Sequence, residues 1–243
     1  MTSFTGKKKL NFSEFDKSFS ILYFVILIIE LFAHPIQGLS NLHFVAKPLL
    51  IISLLYYLYI KRFEIKMNSR RLLFWALFIS LIGDTLILFE TLDNNNMLFI
   101  FGVLAFMVVL ILYSFIFLQK RNNNLRSFKF LFTLMMYTII LFSVLWRSLD
   151  HMLIPVMLYA LVILMMNYIA SLRSFNVPKL SFNFVLIGTL LMLISNTLVV
   201  INKFYFPLSW SHVLIMSNYG LAQYFIVFGV LKQNSTLHNK FNI

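Results

Sequence analysis

The 243-residue sequence contains no cysteine. This absence excludes disulfide bonds, thiol nucleophiles, thiolate metal sites and covalently attached c-type haem. Nucleophile elbows, phosphate-binding loops and dinucleotide fingerprints are absent as well. Any chemistry must therefore come from oxygen and nitrogen groups, and we predict no cofactor.

Charged residues are scarce. They make up 12% of the chain, whereas hydrophobic residues make up 60% and the mean hydropathy is +0.87. Soluble domains are roughly half apolar and a quarter charged, and no soluble core could bury this much apolar side chain. Apolar runs recur along the whole chain, each close to the roughly 20 residues that cross a ~30 Å hydrocarbon layer as a helix.

We therefore predict an all-α, polytopic transmembrane bundle of about eight helices. The spans are expected at residues 19–34, 44–60, 72–90, 97–118, 127–146, 152–171, 182–201 and 211–232. An even number of spans puts both termini on one side of the membrane. The predicted organisation is a basic segment at 1–18, a single transmembrane domain at 19–232 and a short tail at 233–243.

The basic residues give the orientation of this bundle. Seventeen of the 20 lysines and arginines lie in alternate segments, which include the two ends of the chain. The other three are Lys47, Arg147 and Lys203. Because basic loops stay in the cytoplasm, both termini are predicted to be cytoplasmic. The net charge of +12 is thus a topology signal, and we predict no nucleic-acid partner.

Repeats and broken helices are not evident in the sequence. Secondary transporters are often built from inverted repeats with Gly- or Pro-interrupted spans at the binding site, so a transporter or channel is disfavoured. The small-xxx-small signature of helix dimers is missing too, and the oligomeric state stays open. Frequent Lys, Asn, Phe and Ile are typical of AT-rich bacterial genomes, which favours a bacterial inner (cytoplasmic) membrane.

Few ionisable side chains fall inside the spans, and each costs at least ~2.5 kcal/mol on insertion scales. They are Glu30, Lys47 and Asp84, with Glu90 at the outer end of the third span. Asp84 is the thirteenth residue of its span, about 18 Å from the cytoplasmic end and just beyond the midplane. Ser80, one turn earlier, shares its face. Asp84 is either a structural hydrogen-bonding group or a functional acid.

Lys47 lies only a few residues inside the second span, close to the outer surface. Its long side chain can reach the membrane interface, or it can pair with Asp84, which would explain both burials. Pro48 is expected in the first turn of this helix, where proline is well tolerated.

The last two spans carry further polar residues. Ser195 and Asn196 lie beyond the midplane of the seventh span, and His212, Tyr219 and Gln223 follow one stripe of the eighth. Such groups often only connect helices, at about 0.6 kcal/mol each. Here the polar residues of the second, third, seventh and eighth spans converge on the outer half, which favours a shared site.

The histidines suggest another kind of site. His34, His43, His151 and His212 fall near the outer ends of spans, but no pair has the H-E-x-x-H spacing of metalloproteases. We therefore predict no metal. Glu30 and His34 stand four residues apart on one helical face, either as a helix-end pair or with Glu30 as a second carboxylate for the site.

Several segments, taken in order, resemble one known family of membrane proteins. They are Ala46 to Leu50, Phe78 to Asp84, Gly102 with Phe106 and Tyr113, Pro155 and Val156 with Tyr159 and Met166, Ser195 to Thr197 with Asn202 to Phe204, and Tyr219 to Gln223. The likeness runs from about residue 40 to 230. No single motif is specific, but the ordered set resembles the YhhN or lysoplasmalogenase family, whose members have eight spans.

The resemblance implies hydrolysis of the vinyl ether bond of a lysoplasmalogen to a fatty aldehyde and a glycerophospho-alcohol. Enol ethers hydrolyse by protonation at carbon, and water then captures the oxocarbenium ion, so the site needs a proton donor and a positioned water. Asp84 is the predicted acid, Asn196 and Gln223 are predicted to orient water, and Lys47 is expected near the headgroup phosphate. The predicted substrate-binding residues are Lys47, Ser80, Ser195, Tyr219, Tyr113 and Tyr159.

The sequence departs from the family pattern at two positions. Asn196 stands where the family usually has a second aspartate, and Leu110 stands where it usually has a histidine. Asparagine can orient water but cannot act as a carboxylate base, and leucine can do neither. The alternative hypothesis is therefore a non-catalytic lipid-binding or structural membrane protein that has lost part of the family site.

Overall fold

A computed structural model describes residues 13–33, 40–93, 96–123 and 127–234 of the chain. The described residues form eight α-helices and two single-turn 3-10 helices, with no strand among them. The α-helices are α1 (Glu14–Ala33), α2 (Ser40–Ile60), α3 (Met67–Asp93), α4 (Asn96–Leu118), α5 (Phe128–Leu149), α6 (Leu153–Ser171), α7 (Lys179–Phe204) and α8 (Ser211–Leu231). The predicted all-α class is confirmed.

Seven of these helices, α2 to α8, are long and apolar enough to cross a membrane. The chain is thus a multi-pass membrane protein. Helix α1 does not meet the same criterion because its 20 residues include Glu14, Asp16, Lys17 and Glu30. Twenty residues still reach about 30 Å as a helix, and α1 packs on α2 and α8. The eighth crossing and the cytoplasmic termini stay predictions.

The helices extend beyond several predicted spans. Helices α3 and α7 each continue for several residues into charged sequence, because a helix needs no apolar side chains once it has left the hydrocarbon layer. The expectation for Pro48 is wrong: α2 begins at Ser40, so Pro48 lies in the helix interior. A proline there leaves the carbonyl of Phe44, four residues earlier, without its helical donor. Membrane helices tolerate this where neighbouring helices compensate.

Helix α8 lies at the centre of the bundle, and α5 is the most peripheral span. The closest pairs are α7 with α8 and α3 with α4. Gly229 lets α7 and α8 approach, since a Cβ there would lie 2.9 Å from the backbone nitrogen of Val185 and 3.0 Å from the Ser181 carbonyl oxygen. Large apolar side chains cover the outer faces of the helices, as expected for lipid contact.

Candidate functional site

Asp84 lies in the interior of the bundle, with 2% of its surface exposed. The hydroxyl group of Tyr219, on α8, donates a hydrogen bond to Asp84 Oδ2 over 2.7 Å. The ammonium nitrogen of Lys47, on α2, is 3.8 Å from Asp84 Oδ1. The predicted pairing of Lys47 with Asp84 is therefore present, and a tyrosine occupies the second carboxylate oxygen.

Gln223 extends this arrangement towards the end of the bundle that is predicted to be cytoplasmic. Its Nε2 donates to the hydroxyl oxygens of Ser80 and Tyr219, each over 3.2 Å. Tyr113, on α4, donates its hydroxyl hydrogen to Gln223 Oε1 over 2.5 Å. All of these side chains are buried. We call the six residues the Asp84 network: Lys47, Ser80, Asp84, Tyr113, Tyr219 and Gln223.

Helical periodicity explains how four helices supply this network. Ser80 and Asp84 are one turn apart on α3, and Tyr219 and Gln223 are one turn apart on α8, so each pair presents two polar groups on one face. The donors run in one direction, from Tyr113 through the Gln223 amide and the Tyr219 hydroxyl to the Asp84 carboxyl group. One formal cation and one formal anion balance the charge, which limits the cost of burying either.

The predicted site residues of α6 and α7 lie elsewhere. Tyr159 donates to Asn196 Oδ1 over 2.6 Å, and Asn196 Nδ2 donates to the carbonyl oxygen of Met192 over 2.7 Å. Both side chains line a small cavity of about 40 Å³ between α5, α6 and α7. In the described part of the chain, no hydrogen bond joins Asn196 to the Asp84 network. Its predicted role of orienting water stays a prediction.

Ser195 connects α7 to α8. Its hydroxyl group donates to the Ile215 carbonyl oxygen over 2.9 Å, which is the helix-connecting role that polar side chains often have in membranes. Leu110, on α4, is buried and lies one turn before Tyr113 on the same face. The position at which the family usually has a histidine thus faces the interior near the network, but leucine adds no polar group there.

Glu30, the predicted second carboxylate, does not contact Asp84. It is fully buried near the C-terminal end of α1, where Oε1 lies 2.9 Å from His43 Nδ1 and 3.6 Å from His212 Nε2. His34, its expected partner, is outside the described residues. The sequence analysis missed His43 as a site residue, although His43 and Lys47 are one turn apart on α2.

Two groups at the predicted cytoplasmic end were also missed. Asp16 is buried and accepts hydrogen bonds from Tyr57 over 2.7 Å and Lys232 over 2.8 Å, and Lys61 lies 3.1 Å away. Burial opposes the ionisation of Asp16, but the bonds from these three residues outweigh it and hold its pKa well below the usual range. Arg173, counted only as a loop charge, is fully buried beside Ser181 and Gln233.

Comparison with known proteins identifies a family. The model of the YhhN family matches residues 42–230, a range that includes the whole Asp84 network and excludes Glu30. No curated protein and no solved structure has significant similarity to the chain.

Proposed function

The chain belongs to the YhhN family, and we propose that it is a membrane hydrolase of the lysoplasmalogenase type. Its substrate would be a lysolipid with a vinyl ether bond, and its products a fatty aldehyde and a glycerophospho-alcohol. The observation that carries the proposal is the buried Asp84 carboxyl group, held between the Tyr219 hydroxyl and the Lys47 ammonium. This network lies within the part of the chain that the family model matches.

The proposed reaction begins with a proton. Protonated Asp84 donates it to the vinyl carbon that is not bonded to oxygen, and the positive charge is shared between the other vinyl carbon and the ether oxygen. Water adds to that carbon and returns one proton to the Asp84 carboxylate. The hemiacetal then collapses: the bond between this carbon and the former ether oxygen breaks, the hydroxyl proton passes to that departing oxygen, and the aldehyde and the alcohol leave. The sum is addition of one water molecule across the bond, without a cofactor.

The neighbours of Asp84 support this role. Tyr219 holds one carboxylate oxygen in place, which fixes the direction in which the acid can reach the substrate. Lys47 is close to the outer surface and is the proposed partner of the headgroup phosphate. A phosphate next to Lys47 would compete with Asp84 for the ammonium group, so that substrate binding itself would favour the protonated acid.

Gln223 and Asn196 are the proposed water-orienting residues, and they would act from different sides. Gln223 is part of the Asp84 network, whereas Asn196 lines the cavity between α5, α6 and α7. The lysolipid is proposed to enter sideways from the bilayer beside α5, because α5 is the least buried span. We further propose a bacterial inner membrane as the location of the protein.

A second candidate function is lipid binding without catalysis. Leu110 and Asn196 replace two polar groups of the usual family pattern, and the Asp84 network satisfies its own hydrogen bonds. Such a protein would keep the interior structure and bind a lysolipid without hydrolysing it.

The deciding experiment measures aldehyde release from a synthetic lysoplasmalogen by the full chain in detergent. We expect activity in the wild type and at least a 100-fold loss in Asp84→Asn, in line with the roughly 10²–10⁴-fold contribution of general acid catalysis. The matched control is Glu90→Gln, since Glu90 lies on the same helix but pairs with Lys203 over 2.7 Å. The control should keep wild-type activity.

The same assay separates the two candidate functions. Background rates in both wild type and Asp84→Asn would overturn the hydrolase proposal for this substrate. Retained binding of the lysolipid would then favour the non-catalytic protein. In that case a gain of activity in Asn196→Asp would identify Asn196 as the position at which the site was lost.

A further inference from the structure

Glu30, His43 and His212 form a compact cluster at one end of the bundle. Their ligand atoms all lie within 4.8 Å of one another. Glu30 lies near the end of α1, whereas His43 and His212 lie in the first turn of α2 and α8, and these three helices pack on each other. Three separate elements thus deliver one carboxylate and two imidazoles to the same point.

The Glu30 side chain is poorly compensated by hydrogen bonds. It is 0% exposed, and neither of its oxygens accepts a hydrogen bond from the described residues. The contact with His43 Nδ1, at 2.9 Å, has the length of a hydrogen bond but not its angular geometry. Burying a carboxylate without hydrogen bonds is strongly unfavourable, so a further positive group is expected at this point.

We propose that Glu30, His43 and His212 bind a zinc ion. Two imidazole nitrogens and one carboxylate oxygen are the protein ligands of many zinc sites. Zinc ligands about 2.0–2.2 Å from the ion stand roughly 3.4 Å apart in a tetrahedral site. The separations of 2.9 Å and 3.6 Å from Glu30 Oε1 bracket this value. Nitrogen ligands favour zinc over magnesium and calcium, which prefer oxygen.

The orientation of the two rings agrees with shared coordination. The imidazoles of His43 and His212 are 4.9 Å apart between centroids and tilted by 85°, so they are not stacked face to face. His212 Nε2 also lies 3.4 Å from the backbone carbonyl oxygen of Glu30, and it has a lone pair for an ion in the tautomer that is protonated at Nδ1. The bound form of each histidine is the neutral imidazole, so the zinc ion supplies the positive charge that Glu30 requires.

The zinc site is distinct from the Asp84 network. His43 is four residues before Lys47 on α2, so the ion would lie about 6 Å further towards the outer surface along the helix axis. The zinc ion would stabilise the packing of three helices at their outer ends. It takes no part in the proposed hydrolysis. The inference therefore stands independently of the proposed function.

Metal analysis of the full chain tests the proposal. The protein is purified in detergent without a histidine tag, stripped with a chelator, incubated with zinc chloride and freed of excess metal. Elemental mass spectrometry should give about one zinc ion per chain in the wild type. The zinc content should fall below about 0.1 ion per chain in Glu30→Gln, His43→Gln and His212→Gln. Glu90→Gln and His151→Gln should retain the wild-type content, because they change the same residue types elsewhere.

Two further measurements show whether a variant loses zinc because a ligand is missing or because the protein is unfolded. Cobalt(II) in place of zinc should give visible absorption of a four-coordinate site in the wild type, and His212→Gln should lose it. His212 is only partly buried, so size-exclusion chromatography should show that this variant still folds. Zinc should raise the thermal midpoint of the wild type and leave that of His212→Gln unchanged.

The opposing explanation is that protonated histidines neutralise Glu30. It predicts no retained zinc in the wild type and equal thermal midpoints with zinc and with chelator. Either of these results, or zinc retained equally by the wild type and the three cluster variants, would overturn the proposal.

Discussion

The hydrogen bond between Tyr219 and Asp84 can be tested by measuring the coupling free energy between these two side chains. Replacing Tyr219 by phenylalanine removes the donor that lies 2.7 Å from Asp84 Oδ2. Gln223 loses one acceptor at the same time, but keeps the hydroxyl of Ser80 at 3.2 Å. Lys47, at 3.8 Å from the other carboxylate oxygen, is too far away to replace the lost bond. The main effect of Tyr219→Phe is thus on Asp84.

The expected magnitude follows from the burial of this bond. Hydrogen bonds to charged groups contribute about 1.5–3 kcal/mol in soluble proteins, whereas those between membrane helices average about 0.6 and reach about 1.7 kcal/mol. Asp84 is almost completely buried and Tyr219 is its closest donor, so the value should lie near the upper membrane limit. We expect a coupling free energy of about 1.5 kcal/mol.

A double-mutant cycle measures this coupling. Tyr219→Phe, Asp84→Leu and the double variant are unfolded in mixed detergent micelles with increasing dodecyl sulfate, and circular dichroism reports the free energy of unfolding. The matched control combines Asp84→Leu with Tyr159→Phe, since Tyr159 donates to Asn196 and, among the described residues, neither has a hydrogen bond to the Asp84 network. The control coupling should lie within about 0.5 kcal/mol of zero. An equally small value for Tyr219 would refute the assignment of this hydrogen bond.

Two further predictions concern stability. Asp16→Asn should lower the thermal midpoint at pH 7, and its difference from the wild type should shrink as the pH falls below about 4. The stabilisation from a carboxyl group with a lowered pKa is complete above its unfolded value of 3.8 and is lost progressively as the pH falls towards the lowered folded pKa; a constant difference would contradict this. Gly229→Ala should destabilise the protein by about 1–3 kcal/mol, since the new Cβ would lie 3.0 Å from the Ser181 carbonyl oxygen. Gly83→Ala is the control and should cost less in the same unfolding assay, because the atoms nearest to its new Cβ belong to side chains, namely the ring of Phe106 at 3.2 Å and the Cβ of Ala105 at 3.4 Å.

Much of the fold could be predicted from hydropathy, because crossing a membrane demands long apolar helices. Each predicted span falls on its own helix, and the errors lie at the ends. Helix α3 begins at Met67 and not at residue 72, since Arg70 and Arg71 continue the helix outside the apolar layer. Pro48 was misplaced for the same reason: the apolar pattern begins near residue 44, whereas the helix begins at Ser40.

The Asp84 network could be predicted in part, because periodicity places Ser80 with Asp84 and Tyr219 with Gln223 on single faces. The direction of the hydrogen bonds could not be predicted, since it depends on how four helices are rotated against each other. The separation of Asn196 from Asp84 has the same origin. Both residues were expected beyond the midplane, but depth along a helix does not say which neighbour a residue faces.

Glu30 shows the limit of local spacing most clearly. The expected partner was His34, four residues away, whereas the close neighbours in the described structure are His43 and His212. The spacing of metalloprotease motifs could not reveal the proposed zinc site, because its three residues come from three different helices. The sequence did contain one indication of this cluster. Each of the two histidines shares a helix face with a residue of the Asp84 network, namely His43 with Lys47 and His212 with Tyr219.

Burial and hydropathy together explain why the polar residues collect on α8. Among the seven apolar helices, α2 and α8 have the lowest mean hydropathy and the largest buried shares. A span that is surrounded by other helices can carry polar groups, because those groups find partners in protein and not in lipid. Helix α8 supplies His212 to the Glu30 cluster and Tyr219 to Asp84. In this chain, the two least apolar spans are therefore the ones that form the buried interior of the bundle.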